Sequence, residues 1–370
     1  MRLSKRNDKT LVGLEIEAGS IAATEVRVNG STAVSATALA PLPSGAFEDG
    51  EVVDAEALAD ALRSMFSEHK LSKRVRLGVA NQRVVVRTLR LPVIEDPKEL
   101  DAAIRFQAQE QIAMPLDQAV LDHRVVGGVK ATEDTAPKVD VVVVAARRDM
   151  IEASLAPLRK AGLEPVGVDL SAFGLIRATA SSIAEADLPA EAGEGDRGPG
   201  SGTPPGPKAT LYCNIGDASN LAVAKGRSCL FTRVAPAGLE NIAIGLTSSA
   251  NLTLEHARMW LGHVGLSRPV EELEGDPRVL NAVRSALESG ASALRDELRL
   301  SLDFYGAQEG AVPVERVALC GPGSAIPGFA ERIESSLSLP ISVCRPSALA
   351  ELGGDDAARL TLSYGLALDE

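Results

Sequence analysis

The sequence predicts a two-lobed α/β protein, built by internal duplication around a cleft, with a small α+β insert in the first lobe. Three observations predict it. Each half opens on a strand, a short Gly-containing turn and a second strand: "VGLEIEAGSIAATEV" (12–26) and "TLYCNIGDASNLAVAK" (210–225). Each half then mixes helical and strand periodicities, as a layered α/β unit does. Between them lies "DLPAEAGEGDRGPGSGTPPGPKA" (187–209), with too little apolar side chain to offset the entropy of ordering it. The expected division is therefore a first lobe over 1–186 with an insert at about 94–168, a flexible linker over 187–209, and a second lobe over 210–370. The final helix is expected to pack back toward the first lobe.

In the first half, strands are expected at Thr10–Glu17, Ser20–Val28 and Thr32–Leu39, the last two joined by Asn29-Gly30, a strong hairpin signal. Leu58, Leu62 and Phe66 recur at spacing four, which predicts a helix over Asp54–His69 with Asp54 as N-cap. "VRLGVA" and "RVVVRTLRLP" read as strands. A second helix starts at Asp96, with Pro97 in the first turn and Glu99 placed for a capping box; Leu100, Ala103, Ile104, Ala108 and Ile112 form its buried stripe. Strands at Val120–Val126 and Lys138–Ala145, a helix ending before Gly162 and the strand "EPVGVDL" complete this half. The second half is read as three strands, helices from Gly238 to about Tyr305, the strand "RVALC", a Gly-rich turn "GPGSAIP", a helix, a short strand and a closing helix.

Bulk properties narrow the function. The net charge of −12 disfavours a nucleic-acid partner and direct binding to anionic lipid. The apolar runs fall far short of a membrane span, and "MRLSKRNDKT" has no apolar segment behind it, so a cytoplasmic location without direct membrane insertion is expected. Cys213, Cys229, Cys320 and Cys344 are widely separated and read as reduced core residues. His256 and His263 share a helix face but lack the further ligands a metal would need, so they read as a solvated face.

A string of collinear segments carries a resemblance over nearly the whole chain. It runs through "PSGAFEDGEVVD" (43–54), "RLPVIEDPKELDAAIRFQAQEQIAMPLDQAVLDHRVVG" (90–127), "AGLEPVGVDLSAFGLIRA" (161–178), "LFTRVAPAG" (230–238), "SLDFY" (301–305) and "VALCGPGSAIPGFAERI" (317–333). The chain resembles the PilM family, actin-like proteins of type IV pilus assembly, within the superfamily that includes FtsA and the actin-like ATPases. The resemblance implies a bilobed actin-like (ribonuclease H-like, duplicated) fold. It also implies a non-enzymatic role: a cytoplasmic scaffold, recruited to the inner face of the membrane, that binds the N-terminal tail of an inner-membrane PilN-like partner and acts with other pilus assembly proteins. The groove for that tail is expected between the first lobe and the insert, with Arg90, Leu91, Gln107 and Gln111 as candidate contacts.

Family members hold ATP with a magnesium ion in the cleft. By resemblance, the positions for such a ligand are Glu15, Gly19 and Ser20 in the first hairpin, Asn214, Gly216 and Asp217 in the second, and Gly321, Gly323 and Ser324 in the turn near the adenosine. Glu15 would also stand where an aspartate reaches a magnesium-bound water. The pattern is degraded. Glu15 replaces that shorter aspartate, Glu17 replaces a glycine that lets the backbone approach phosphate, and Ala22 replaces a lysine. A carboxylate about 4 Å from a phosphate charge opposes it by roughly 4 kcal/mol at an effective dielectric near 20, about a thousandfold in affinity. These substitutions point to hairpins kept as fold elements and to a scaffold without catalytic residues. The alternative is an ATPase or sugar-kinase-like enzyme holding ATP and magnesium between the lobes. An FtsA-like membrane-tethered filament former is disfavoured because "LTLSYGLALDE" lacks a basic amphipathic face.

Overall fold

A computed structural model describes residues 9–28, 32–129, 137–186, 208–308, 310–335 and 337–369. The Asn29-Gly30 turn and nearly all of the expected linker, 187–207, lie outside the described residues; Lys208 and Ala209 are described, and Ala209 opens a strand.

The first half folds as β1 (Lys9–Ile16), β2 (Ser20–Val28), β3 (Thr32–Pro41), the short ribbon β4 (Phe47–Glu48) and β5 (Glu51–Val52), then α1 (Ala55–Glu68) and β6 (Arg74–Val79). It continues with β7 (Val85–Pro92), α2 (Pro97–Gln111), β8 (Ala119–Val129), β9 (Lys138–Arg147), α3 (Arg148–Lys160), β10 (Glu164–Leu170) and α4 (Ser171–Ala186). The second half contains β11 (Ala209–Ile215), β12 (Ser219–Lys225), β13 (Ser228–Ala235), α5 (Leu239–Ser249), α6 (Leu254–Val264) and α7 (Pro277–Gly306). It ends with β14 (Val314–Cys320), α8 (Phe329–Glu334), β15 (Ile341–Val343) and α9 (Gly354–Ala367).

The described strands show the duplication directly. One sheet has the order β3-β2-β1-β6-β10 and the other β13-β12-β11-β14-β15. In each, an antiparallel meander of three strands is followed by two parallel additions on the first strand. Period-two alternation divides each sheet into two buried faces. Val12, Leu14 and Ile16 of β1 meet α1 and α3, while Gly13 abuts α9. Leu211, Cys213 and Ile215 of β11 face the helices from α5 to α8, while Tyr212 faces α4 and α9. The pair α4 and α9 thus fills the layer between the sheets. All four cysteines are buried within these layers.

The closing helix packs on the first lobe's sheet. Ser363 Oγ and Thr24 Oγ1 lie 2.8 Å apart, both buried, and Arg76 donates to the carbonyl oxygens of Leu366 at 3.0 Å and Leu368 at 2.6 Å. Gly13 lets the two backbones touch: a Cβ there would strike the carbonyl oxygen of Ser363 and the nitrogen of Ala367.

Sequence rules explain the helix starts. Asp54 caps α1 by accepting from the backbone N–H groups of Glu56 and Ala57 at 2.9 and 3.0 Å. Asp96 caps α2 through Lys98 N–H at 2.7 Å, whereas a return bond from Glu99 is absent among the described residues. The insert begins and ends earlier than expected. Its three-stranded sheet, β7-β9-β8, draws on residues 85–147, whereas β10 joins the first five-stranded sheet and α3 packs on α1. Local pattern identifies β10 as a strand; only its parallel pairing with β6 assigns it to the main sheet.

Candidate functional site

The two duplicated hairpins bring their turns together at the floor of a cavity of about 830 Å³ between the lobes. The first turn, Glu17–Gly19, is closed by Glu17 N–H to Ser20 O at 2.9 Å, and Leu42 N–H donates to Gly19 O at 3.1 Å. The second, Gly216–Ala218, is pinned to the start of α5: Leu239 N–H donates to Gly216 O at 2.9 Å and Glu240 N–H to Asp217 O at 3.3 Å.

The turns grip one another. Glu17 Oε1 accepts the backbone N–H of Asp217 at 3.1 Å, whereas the buried Asp217 Oδ2 has no hydrogen-bond partner among the described residues. The approach is close enough that a Cβ on Gly216 would overlap the Glu17 carboxylate. Above them, Arg258 of α6 makes a two-pronged ion pair with Glu240 of α5, at 2.6 and 2.8 Å, and lies across Gly19, where a Cβ would sit 2.5 Å from its guanidinium.

This floor is acidic. Glu15, Glu17 and Asp217 keep some exposure to the cavity but are enclosed by protein on every other side. Burial, then the Asp217 charge, pushes the Glu15 carboxyl up to about 8. Burial and the charges of Asp217 and Glu15 push Glu17 well above its ordinary value, although the Asp217 N–H and Arg359 pull against them. Asp217 rises to about 6 through burial and Glu240, restrained by Arg258 and the facing N–H groups of the first turn. Among the described residues no group of three or more His, Cys, Asp or Glu side chains is placed to hold a metal ion.

Of the expected ligand positions, Glu15, Asn214 and Asp217 line the cavity, and Gly19, Ser20 and Gly216 sit on the turns at its floor. Gly321, Gly323 and Ser324 do not line it. Gly321 (φ 78°) packs against Asn214, Gly323 against Ile215, and the buried Ser324 Oγ donates to Gly321 O at 2.7 Å. Close packing on the end of β11 accounts for this Gly-rich turn. Ala22, the position of the missing lysine, packs with Leu349, Ala357 and Leu360. On this floor the Glu17 side chain covers Gly216, and the backbone N–H of Asp217 has an internal acceptor.

The expected partner contacts separate. Leu91 is 2% exposed and lies in the insert core with Leu89, Ile104 and Val141, so it offers no surface. Because β7 alternates, Arg90 projects to the other side of the sheet, where it pairs with Asp140 at 2.8 Å. Gln107 and Gln111 lie on α2, half-buried and exposed respectively. Sequence reading missed Phe106 on the same helix, which is 67% exposed. The signal was available: Phe106 falls outside the stripe 100, 103, 104, 108, 112, which places an aromatic ring on the solvent face of the helix.

Comparison with known proteins places this geometry. The chain is similar to a chain of the PilM–PilN type IV pilus biogenesis complex, with a TM-score of 0.75 and 25% identity, covering 96% of this chain and 97% of that one. EutJ, an ethanolamine utilization protein from Carboxydothermus hydrogenoformans, shares the fold with a TM-score of 0.53 and 14% identity over 99% of this chain and 91% of that one. So does MreB 5 of Spiroplasma citri bound to AMPPNP, with a TM-score of 0.50 and 13% identity over 97% and 94%. The fold is thus the bilobed actin-like one. A family model described as type IV pilus assembly protein PilM matches residues 13–195, and the structural similarity to a chain of the PilM–PilN complex runs along nearly the whole of this chain.

Proposed function

We propose that this protein is a scaffold of type IV pilus assembly that holds the N-terminal cytoplasmic tail of a PilN-like inner-membrane protein, and that its interlobe cleft takes no nucleoside triphosphate. The observation that carries the partner is the similarity, along nearly the whole chain, to a protein solved in complex with PilN. Among the described residues no helix is long and apolar enough to cross a membrane, and a membrane-anchored partner would supply recruitment to the inner face of the cytoplasmic membrane. The solvent face of α2 carries the exposed ring of Phe106, an apolar anchor of the kind a short peptide uses. The clasp between Glu17 and Asp217 supports the reading of the cleft.

The test is calorimetry of the full chain with a synthetic peptide from the N-terminus of the PilN-like protein, beside titration with ATP and magnesium. The peptide is expected to bind with a dissociation constant of about 10 μM or tighter, and ATP to leave both heat and melting temperature unchanged. No peptide binding would remove the scaffold reading. Sustained phosphate release from ATP would replace it with an enzyme of the same fold.

A further inference from the structure

We propose that Glu17 is a built-in plug: its carboxyl oxygen takes, on the opposite hairpin turn, the backbone N–H that a phosphate group would otherwise take, so the cradle between the lobes is filled from within the chain. The inference rests on the reading of the cleft as closed to nucleoside triphosphates and says what closes it.

Successive backbone N–H groups in a tight turn form a concavity that attracts an anion. The second turn offers such a group at Asp217, and Glu17 Oε1 accepts it at 3.1 Å. The turns are also fixed. The second turn is tied to α5 through Gly216 O and Asp217 O, and the first to the end of β3 through Gly19 O.

Tethering decides the competition. A carboxylate on the chain pays no translational entropy and faces its seat at a high effective concentration, which a free phosphate must overcome. Arg258 adds a cover over Gly19, held there by Glu240. Gly216 carries no side chain to obstruct the Glu17 carboxylate. Closure of the two hairpins is therefore built into the fold and does not wait on a ligand.

The experiment compares the full-length wild type with E17Q, E17G and the double variant E17G/D217A. Its readouts are amide hydrogen exchange of the two turns and thermal shift with tripolyphosphate and with ATP. The amide oxygen of E17Q still accepts the Asp217 N–H, so that variant is expected to keep slow exchange. E17G is expected to exchange the Asp217 amide about tenfold faster or more, as a local opening would. The double variant, folded by circular dichroism, is expected to gain a melting-temperature rise with tripolyphosphate that the wild type lacks. Unchanged exchange in E17G, or a folded double variant indifferent to tripolyphosphate, would overturn the built-in plug while leaving the closed cleft standing. ATP binding by the wild type would overturn the closed cleft itself.

Discussion

Glu15 lies directly across the β1–β2 ladder from Ala22, in the last pairs before the turn that Glu17 opens. Strand alternation therefore points Glu15 and Glu17 the same way, toward Asp217, and three carboxylates converge where the duplicated hairpins meet. Their shifts share one sign, because burial and mutual repulsion both favour the proton.

That sign fixes a pH dependence. A carboxyl raised from 4.5 to about 8 on folding keeps in the native state a proton that the unfolded chain has already released. Its contribution to stability is complete below the unfolded value and is lost as pH climbs toward about 8. Asp217, raised to about 6, acts in the same direction over a lower window. Glu15→Gln, which cannot ionise, should therefore melt close to the wild type near pH 4.5 and above it at pH 8, by about 2–4 °C for each kcal/mol recovered. Thermal melts across that range check it. A constant difference between the two proteins at every pH would show that Glu15 keeps its ordinary titration.

Two glycines in the first hairpin should respond differently to the same added methyl group. A Cβ at Gly13 meets backbone of α9, at Ser363 O and Ala367 N, and neither can move without shifting the helix from its sheet. At Gly19 it meets the end of the Arg258 side chain, which can swing aside at the expense of its pairing with Glu240. Gly13→Ala should cost about 3 kcal/mol or more and Gly19→Ala about 1 kcal/mol. Denaturant unfolding of both variants gives the ratio, and equal losses would mean that the α9 seam yields as readily as an arginine does.

The contrast between these glycines bears on what the sequence could reveal. Asp54 and Asp96 announced their helices because capping is local chemistry, and the paired hairpins announced a duplicated fold because each turn lies between its own strands. Gly13 carried no such signal, since its role depends on a helix some 350 residues later in the chain. The acidic substitutions at Glu15 and Glu17 were legible, but the grip between the turns was not: it joins positions 200 residues apart. The packing role of the turn at Gly321–Ser324 was equally hidden. Gly321 takes a positive φ and both glycines pack tightly on β11, which composition alone does not distinguish from a ligand cradle.

The insert gives the same lesson a measurable form. Leu91 and Phe106 lie 15 residues apart and both read as apolar, yet one is 2% exposed and the other 67%. Leu91→Ala removes buried methyl groups from the core shared with Leu89 and Ile104, and should cost about 2–5 kcal/mol. Phe106→Ala leaves no cavity and should change stability by about 0.5 kcal/mol or less. If the exposed side of α2 receives the partner's tail, the order reverses for binding. Phe106→Ala should then weaken the peptide about tenfold or more, the effect of losing an aromatic anchor, while Leu91→Ala, measured where it remains folded, leaves affinity nearly unchanged. Equal peptide affinity for Phe106→Ala and the wild type would move the docking site off α2. Because the two substitutions separate folding from recognition on one subdomain, melting curves and calorimetry on the same pair of proteins decide the matter.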